Sequence, residues 1–130
     1  MKFKNKKDEE LFFLLHPIVA MIAFDMDWYA VSNFGKELTI TATVSTKEED
    51  KALNRKSSSH QRGVAFDLRT RDLKDTEITS LLAYINGKWA YREYHYLSFS
   101  GKKRLAVYHN NGNGDHFHVQ IHSRYSLDPI

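Results

Sequence analysis

Residues 116–122 alternate between polar and apolar side chains, and this alternation constrains the fold more than any other feature of the sequence. Successive side chains of a β-strand point to opposite faces of the sheet. One face would carry Phe117, Val119 and Ile121, which we expect to meet the core. The other face would carry four polar residues: His116, His118, Gln120 and His122. The pattern predicts a half-buried strand with a histidine-rich polar face.

The rest of the chain predicts an α+β domain, in which helices pack on one side of a small, mostly antiparallel sheet. Apolar residues recur at helical spacing between Pro17, which suits a first turn, and Gly35, which suits a C-terminal cap. A second helix is predicted over 77–86, capped by Asp75 or Thr76 and ending near Gly87. Further strands are predicted at 37–45, 63–69, 92–100 and 103–109.

Two other segments are predicted to be loops. Residues 46–59 are polar and irregular, which predicts a loop with room for one helical turn. Residues 110–115 are rich in asparagine and glycine, which suits a connection between antiparallel strands.

Composition narrows the class of protein. A chain of 130 residues predicts a single domain over 1–130, and 42% apolar residues argue against disorder. The 19 basic and 16 acidic side chains give a net charge of +3, which favours encounter with a polyanion such as a cell wall. Because these charges are scattered, we expect no nucleic-acid partner. We also expect a monomer. The lack of cysteine excludes disulfides and thiolate zinc sites.

The N-terminal region resembles a secretory signal superficially, because lysines precede the apolar run 11–24. However, Asp8, Glu9 and Glu10 adjoin the run, and no convincing small-x-small cleavage site follows it. His16 and Pro17 also interrupt the run, which is too short to span a bilayer. We therefore expect a core helix, with no signal peptide and no stable membrane insertion.

A candidate metal site combines two distant parts of the chain. His60 and Asp67 lie seven positions apart, and Gly63 between them could let the chain turn tightly. With His116 or His118 they would supply three ligands, the number typical of a catalytic zinc site. Taken singly, His60 would more often be a surface loop residue, Asp67 a partner of a nearby arginine, and the histidines an exposed face. Together they are harder to explain as coincidence.

The segment "SSHQRGVAFD" resembles the Ser-x-His-x-x-Gly-x-Ala-x-Asp signature of the D-alanyl-D-alanine carboxypeptidase group of zinc peptidases. All five fixed positions match: Ser58, His60, Gly63, Ala65 and Asp67. "DHFH" is similar to the second motif of that group, an acidic residue three positions before a histidine. The group includes phage endolysins that cut the L-alanyl-D-glutamate bond of peptidoglycan, and it is related to lysostaphin-type peptidases and hedgehog domains.

This resemblance implies a hedgehog-like fold and a zinc-dependent cell-wall peptidase of phage or prophage origin. It also implies that zinc binds to His60, Asp67 and His118. Asp115 would be the general base, and His116 would be a supporting or oxyanion-stabilising group. The partner would be the stem peptide of peptidoglycan, reached in the periplasm after release of a protein made in the cytoplasm.

The resemblance identifies the substrate-binding residues less specifically than the metal ligands. Ser58 would support the site or contact substrate. Many relatives carry an arginine shortly before the signature, where this chain has Lys47, with Arg55 and Arg62 as nearby cations. A lysine cannot form the bidentate fork of an arginine. The sequence therefore leaves open whether the enzyme cleaves as an L-alanyl-D-glutamate endopeptidase or as a D-alanyl-D-alanine carboxypeptidase.

Three other interpretations compete with a peptidase. A pseudoenzyme of the same fold could keep zinc for stability or binding alone. A non-haem iron oxygenase also uses two histidines and one carboxylate, but it usually places the first histidine and the carboxylate one residue apart. Six residues separate His60 from Asp67. A nucleic-acid binder is disfavoured because no motif of interleaved aromatic and basic residues occurs.

Overall fold

The fold is described by a computed structural model over residues 1–97, 101–109 and 114–129. The helices of this part are α1 (Lys6–Leu11), α2 (Pro17–Phe34), α3 (Lys47–Ala52) and α4 (Asp75–Gly87). Short 3₁₀ helices occur at Phe12–Leu14, Trp89–Tyr94 and Ser123–Tyr125. The strands are β1 (Lys2–Phe3), β2 (Thr39–Ala42), β3 (Ala65–Arg69), β4 (Tyr96–Leu97), β5 (Lys103–Arg104), β6 (Ala106–His109) and β7 (His116–Gln120).

Five strands form a mixed sheet in the order β1-β2-β3-β7-β6. Only the β1–β2 pair of this sheet is parallel, and its other pairs are antiparallel. Strands β4 and β5 form a separate antiparallel pair. The α+β class is thus confirmed, and the sheet is mostly antiparallel, as the sequence predicts.

The core lies between one face of the sheet and the helices α2 and α4. Its fully buried side chains include Met26 of α2 and Ile85 of α4. The sheet contributes Phe66 and Leu68 from β3, together with Phe117 and Val119 from β7. Because side chains alternate along a strand, Asp67 and His118 lie on the opposite face. This second face is bordered by α3 and by the loop that follows it.

The predicted alternation of the last strand is confirmed between His116 and Gln120, where half-buried residues alternate with buried ones. His122 lies beyond the end of β7. Its Nδ1 atom accepts a hydrogen bond from the backbone N–H of Arg124 at 3.1 Å and so begins a 3₁₀ turn.

Helix α2 begins and ends where the sequence predicts. Pro17 occupies its first turn, where a missing N–H costs nothing, and Gly35 at its C-terminal end adopts a left-handed φ of 66°. The apolar run 11–24 is not one helix, however, because His16 is extended with a ψ of 137°. A proline disfavours helical geometry in the residue before it, which separates α2 from the 3₁₀ turn.

Other elements differ from the prediction in detail. Helix α4 is flanked at its start by Lys74, not by Asp75 or Thr76. Residues 46–59 contain the six-residue helix α3, which Thr46 and Glu49 begin through a capping box. Within 92–100, the described part is a 3₁₀ helix followed by the short β4, and residues 98–100 lie outside the described ranges. Most of the predicted loop at 110–115 also lies outside them.

No helix in the described ranges has the length and apolar character that crossing a bilayer requires.

Gly63 is constrained both by its backbone and by its surroundings. Its φ is 66°, and a Cβ atom there would lie 3.2 Å from Leu127 Cδ1 and 3.2 Å from the carbonyl oxygen of Leu14. Gly35 has the same φ, but a Cβ atom there would contact nothing within 4 Å. Replacing Gly35 by alanine therefore costs only the strain of a left-handed conformation, whereas replacing Gly63 adds the cost of a close contact.

We expect Gly63→Ala to lower the free energy of unfolding by about 2–3 kcal/mol, and Gly35→Ala by about 1–2 kcal/mol, since both carry conformational strain but only the first adds a steric contact. Urea denaturation followed by circular dichroism measures both values. Equal losses for the two variants would show that the surroundings of Gly63 are not tightly packed.

Candidate metal centre

Three potential metal ligands meet on the polar face of the sheet. Strands β3 and β7 pair so that Asp67 lies directly opposite His118. His60 enters from the preceding loop, and the turn at Gly63 leads from it into β3. His60, Asp67 and His118 each offer one ligand atom, and these atoms all lie within 4.8 Å of one another. This group, which we call the triad, could hold a metal ion.

His60 is held in one orientation by a chain of buried groups. Its Nδ1 atom lies 2.7 Å from the carbonyl oxygen of Thr43, to which Nδ1–H donates. Thr43 is fixed in turn by Asp8, whose Oδ1 accepts from the Thr43 backbone N–H and hydroxyl, each at 2.9 Å. The Nε2 atom of His60 lies 3.4 Å from Asp67 Oδ1, and with Nδ1 used as a donor, a deprotonated Nε2 would offer a lone pair to a metal.

His118 is oriented in the same manner by Gln120. Its Nε2 atom lies 2.8 Å from Gln120 Oε1, which can accept a hydrogen bond from Nε2–H. Its Nδ1 atom lies 3.0 Å from Asp67 Oδ1. Metal-binding histidines commonly donate their second ring N–H to such an acceptor, which fixes the tautomer that presents a lone pair to the metal. Both histidines of the triad have this outer hydrogen bond.

The pKa values of Asp67 and His118 depend strongly on their contact with each other. Burial by itself would raise the pKa of Asp67, but hydrogen bonds from His118 and His60 outweigh burial and hold that pKa well below its ordinary value. Burial would lower the pKa of His118, whereas the Asp67 carboxylate raises it above the ordinary histidine value. The ionised carboxylate of Asp67 would therefore stabilise a cation bound on this face of the sheet.

Arg55 links the triad to a second buried carboxylate. Its Nη2 atom lies 3.6 Å from Asp67 Oδ2, and its Nη1 atom lies 3.0 Å from Asp50 Oδ1. Asp50 is buried and also accepts hydrogen bonds from Ser45 and Gln61. These contacts orient Asp67. They also engage the guanidinium of Arg55, a residue that the sequence suggests as a substrate contact.

The other suggested substrate residues divide into two groups. Lys47 and Arg55 share the lining of an open cleft of about 420 Å³ on the α3 side, and the remaining lining residues are Asp50, Lys51, Asn54, Lys56 and Gln61. Ser58 and Arg62 are exposed and lie outside this lining. They belong to the turn before β3, where the N–H of Arg62 donates to the carbonyl oxygen of Ser58 at 3.1 Å.

The two residues suggested for catalysis are placed differently. His116 lies on the same face of β7 as His118, and its Nδ1 atom is 3.0 Å from the carbonyl oxygen of Gly114. Asp115 is exposed just before β7, and its Oδ2 atom accepts a hydrogen bond from the Tyr108 hydroxyl at 3.0 Å. Asp115 is not a member of the metal-binding group found among the described residues.

His109 is a further residue of this face that sequence reasoning does not identify. Strand β6 places it opposite His116, with ring centroids 5.2 Å apart, and its ring lies 6.0 Å from that of His118. Burial is the main reason that its pKa is lowered, and the neighbouring histidines add to this effect. Alternation in "AVYH" could have placed it on one face, but only the β6–β7 register shows which face.

Comparisons with protein-family models, with curated proteins and with solved structures gave no match to this chain.

We expect Gln120→Leu to weaken metal binding by about 10-fold, because loss of an outer hydrogen bond to a ligating histidine typically costs 10–100-fold in affinity. Gln120→Glu restores an acceptor for His118 and should bind metal at least as tightly as the parent chain. Competition between the protein and a chromogenic chelator for Zn²⁺ measures both affinities. An unchanged affinity in Gln120→Leu would show that Gln120 does not orient a ligand.

Proposed function

We propose that this protein is a zinc-dependent peptidase of peptidoglycan, similar in fold and chemistry to the D-alanyl-D-alanine carboxypeptidase group and its endolysin relatives. One observation carries the proposal. His60 and Asp67 of the first motif converge with His118 of the second motif, with ligand atoms inside 4.8 Å. The two motifs are about 50 residues apart in sequence, and they meet on one face of the sheet.

The donor set suits zinc at a catalytic site. Two imidazole nitrogens and one carboxylate oxygen are ligands that zinc accepts, and three protein ligands leave a position open for water or substrate. The outer hydrogen bonds to Thr43 and Gln120 direct one ring nitrogen of each histidine toward Asp67. A bound zinc would supply Lewis acidity, which polarises a carbonyl group and lowers the pKa of a water molecule.

The residues around the triad would handle the proton and the developing charge. We assign the general-base role to Asp115, which would take a proton from water and pass it to the leaving amine. Its hydrogen bond joins it to Tyr108, whose ring packs against Phe117 on the core face, so Asp115 would have to change conformation to reach the triad. His116, on the triad's face, would stabilise the oxyanion or support the site.

The cleft beside the triad suits an anionic peptide. Lys47, Lys51 and Lys56 present exposed ammonium groups there, while Arg55 is already engaged by Asp50 and Asp67. The stem peptides of peptidoglycan carry free carboxylates, which these lysines would attract without the fixed geometry of an arginine fork. Ser58 and Arg62 would contact parts of the substrate farther from this cleft.

A second candidate is a pseudoenzyme that retains zinc without hydrolysing a bond. The observation in its favour is the position of Asp115, whose carboxylate is bonded to Tyr108 rather than to a residue of the triad. In that case the metal would stabilise the native state, because an ion that binds only the folded chain shifts the folding equilibrium by mass action.

Digestion of purified peptidoglycan, with products identified by mass, tests the proposal. We expect cleavage within the stem peptide that stops when a chelator removes zinc. Asp115→Asn should keep its zinc and its fold, but hydrolysis should fall by roughly 10²–10⁴-fold, the usual contribution of a positioned proton-transfer group.

His116→Ala is the matched control for Asp115→Asn, because both residues are adjacent in sequence and lie outside the triad. A larger loss in His116→Ala would reassign the general base to His116. Full zinc content without any product would favour the pseudoenzyme, and undiminished activity in Asp115→Asn would refute the assigned mechanism.

A further inference from the structure

The solvent-facing side of α2 is apolar along most of its length. Four residues follow one another at spacings of three, four and three positions, and their side chains are exposed by 54%, 51%, 61% and 45%: Met21, Phe24, Trp28 and Val31. This spacing is the a/d repeat by which two helices pack against each other. We call these four residues the α2 seam.

The opposite side of α2 is already buried. Ile22 and Met26 lie in the core at 0% exposure, so the helix is apolar on both sides. An apolar face of a helix normally packs against another element. The core covers one side of α2, and the α2 seam is left for a partner.

The charges of α2 do not oppose such a partner. The helix contains two charged residues, Asp25 and Asp27, and both are engaged within the chain. Asp25 accepts hydrogen bonds from Tyr84, Lys88 and Tyr91. Asp27 accepts from the backbone N–H of Leu38 and pairs with the N-terminal ammonium group of Met1.

We propose that the α2 seam binds the α2 seam of a second copy of this chain, in an antiparallel pair related by a two-fold axis. The axis passes α2 at the level of Met26. Such symmetry places Phe24 opposite Trp28 of the second copy, and Met21 opposite Val31. Each contact then occurs twice, as an isologous interface requires. This departs from the monomer that the sequence suggests.

The exposed area fits a dimer of ordinary size. The α2 seam and the neighbouring Phe13, which is 78% exposed, present roughly 550 Å² of apolar surface if an aromatic side chain offers about 200 Å². That area is at the upper end of what a monomer usually exposes in one patch. Since homodimer interfaces are about 65% apolar, two such patches correspond to about 1,700 Å² of buried surface, close to the standard size.

A membrane surface fits this face less well. Helices that lie on anionic bilayers carry lysine and arginine beside their apolar stripe, whereas α2 has neither residue. The adjoining helix α1 carries the exposed Lys6 and Lys7 together with the exposed Glu9 and Glu10, so it offers no net positive charge to an anionic bilayer. The α2 seam lies on the side of the sheet opposite to the triad, so that a second copy leaves the metal centre accessible.

Sedimentation velocity over a range of protein concentrations tests the proposal. We expect the parent chain to form dimers and Trp28→Glu to remain a monomer, with unchanged zinc content. Trp89→Glu is the matched control, since Trp89 is the other tryptophan of the chain, is 77% exposed and lies outside the α2 seam. It should dimerise like the parent.

Cysteine cross-linking tests the antiparallel register, and the chain offers a background without cysteine. The double variant Met21→Cys/Val31→Cys should form a disulfide-linked dimer on mild oxidation. Met21→Cys alone should not, because ten residues place the two copies of position 21 about 15 Å apart along the helices.

A parent chain that stays monomeric at every concentration would overturn the proposal, as would a Trp28→Glu variant that still dimerises. Efficient cross-linking through Met21→Cys alone would indicate parallel helices and refute the register. Binding of the monomer to anionic phospholipid vesicles, lost in Trp28→Glu, would replace the second copy by a membrane as the partner.

Discussion

The pairing of β3 with β7 is the constraint on which the rest of the site depends. In this register Phe66 and Leu68 share the core face with Phe117 and Val119, while Asp67 lies opposite His118 on the other face. A shift of one residue would turn the histidines into the core and expose the phenylalanine. The free energy of burying the apolar residues therefore also holds two of the three potential metal ligands together.

The third ligand depends on polar contacts made by distant segments. Asp8 of α1 holds Thr43 after β2, and Thr43 holds the ring of His60. Each group in this chain is buried, so leaving one unpaired would cost about 1–3 kcal/mol. The N-terminal helix thereby contributes to the orientation of a ligand although it supplies none itself. Arg55 and Asp50 provide a comparable support on the other side of Asp67.

Features of the fold with a local cause could be predicted from the sequence. Pro17 and Gly35 mark the ends of α2 by their backbone preferences, and alternation marks the buried residues of β7. The capping box of Thr46 and Glu49 is also local, and it could have indicated α3. Motif spacing indicates His60, Asp67 and one of His116 and His118, and the family resemblance selects His118. The proximity of these residues depends on pairing between strands about 50 residues apart.

Features that depend on long-range register could not be predicted. His109 reaches the polar face only because β6 pairs with β7, and its own segment does not show which face meets the histidines. The hydrogen bond between Tyr108 and Asp115 has the same origin. The engagement of Arg55 by two carboxylates requires the path of the loop after α3, for which its irregular sequence gives no periodic signal.

The most direct test of the account is the zinc content of purified variants, measured by mass spectrometry of the metal together with X-ray absorption at the zinc edge. We predict about one zinc per chain in the parent and in His116→Ala, with two imidazole nitrogens and carboxylate oxygen at about 2.0–2.2 Å. His60→Ala and His118→Ala should lose most of the metal. Full zinc content in both of those variants would contradict the assignment of the triad as the metal centre.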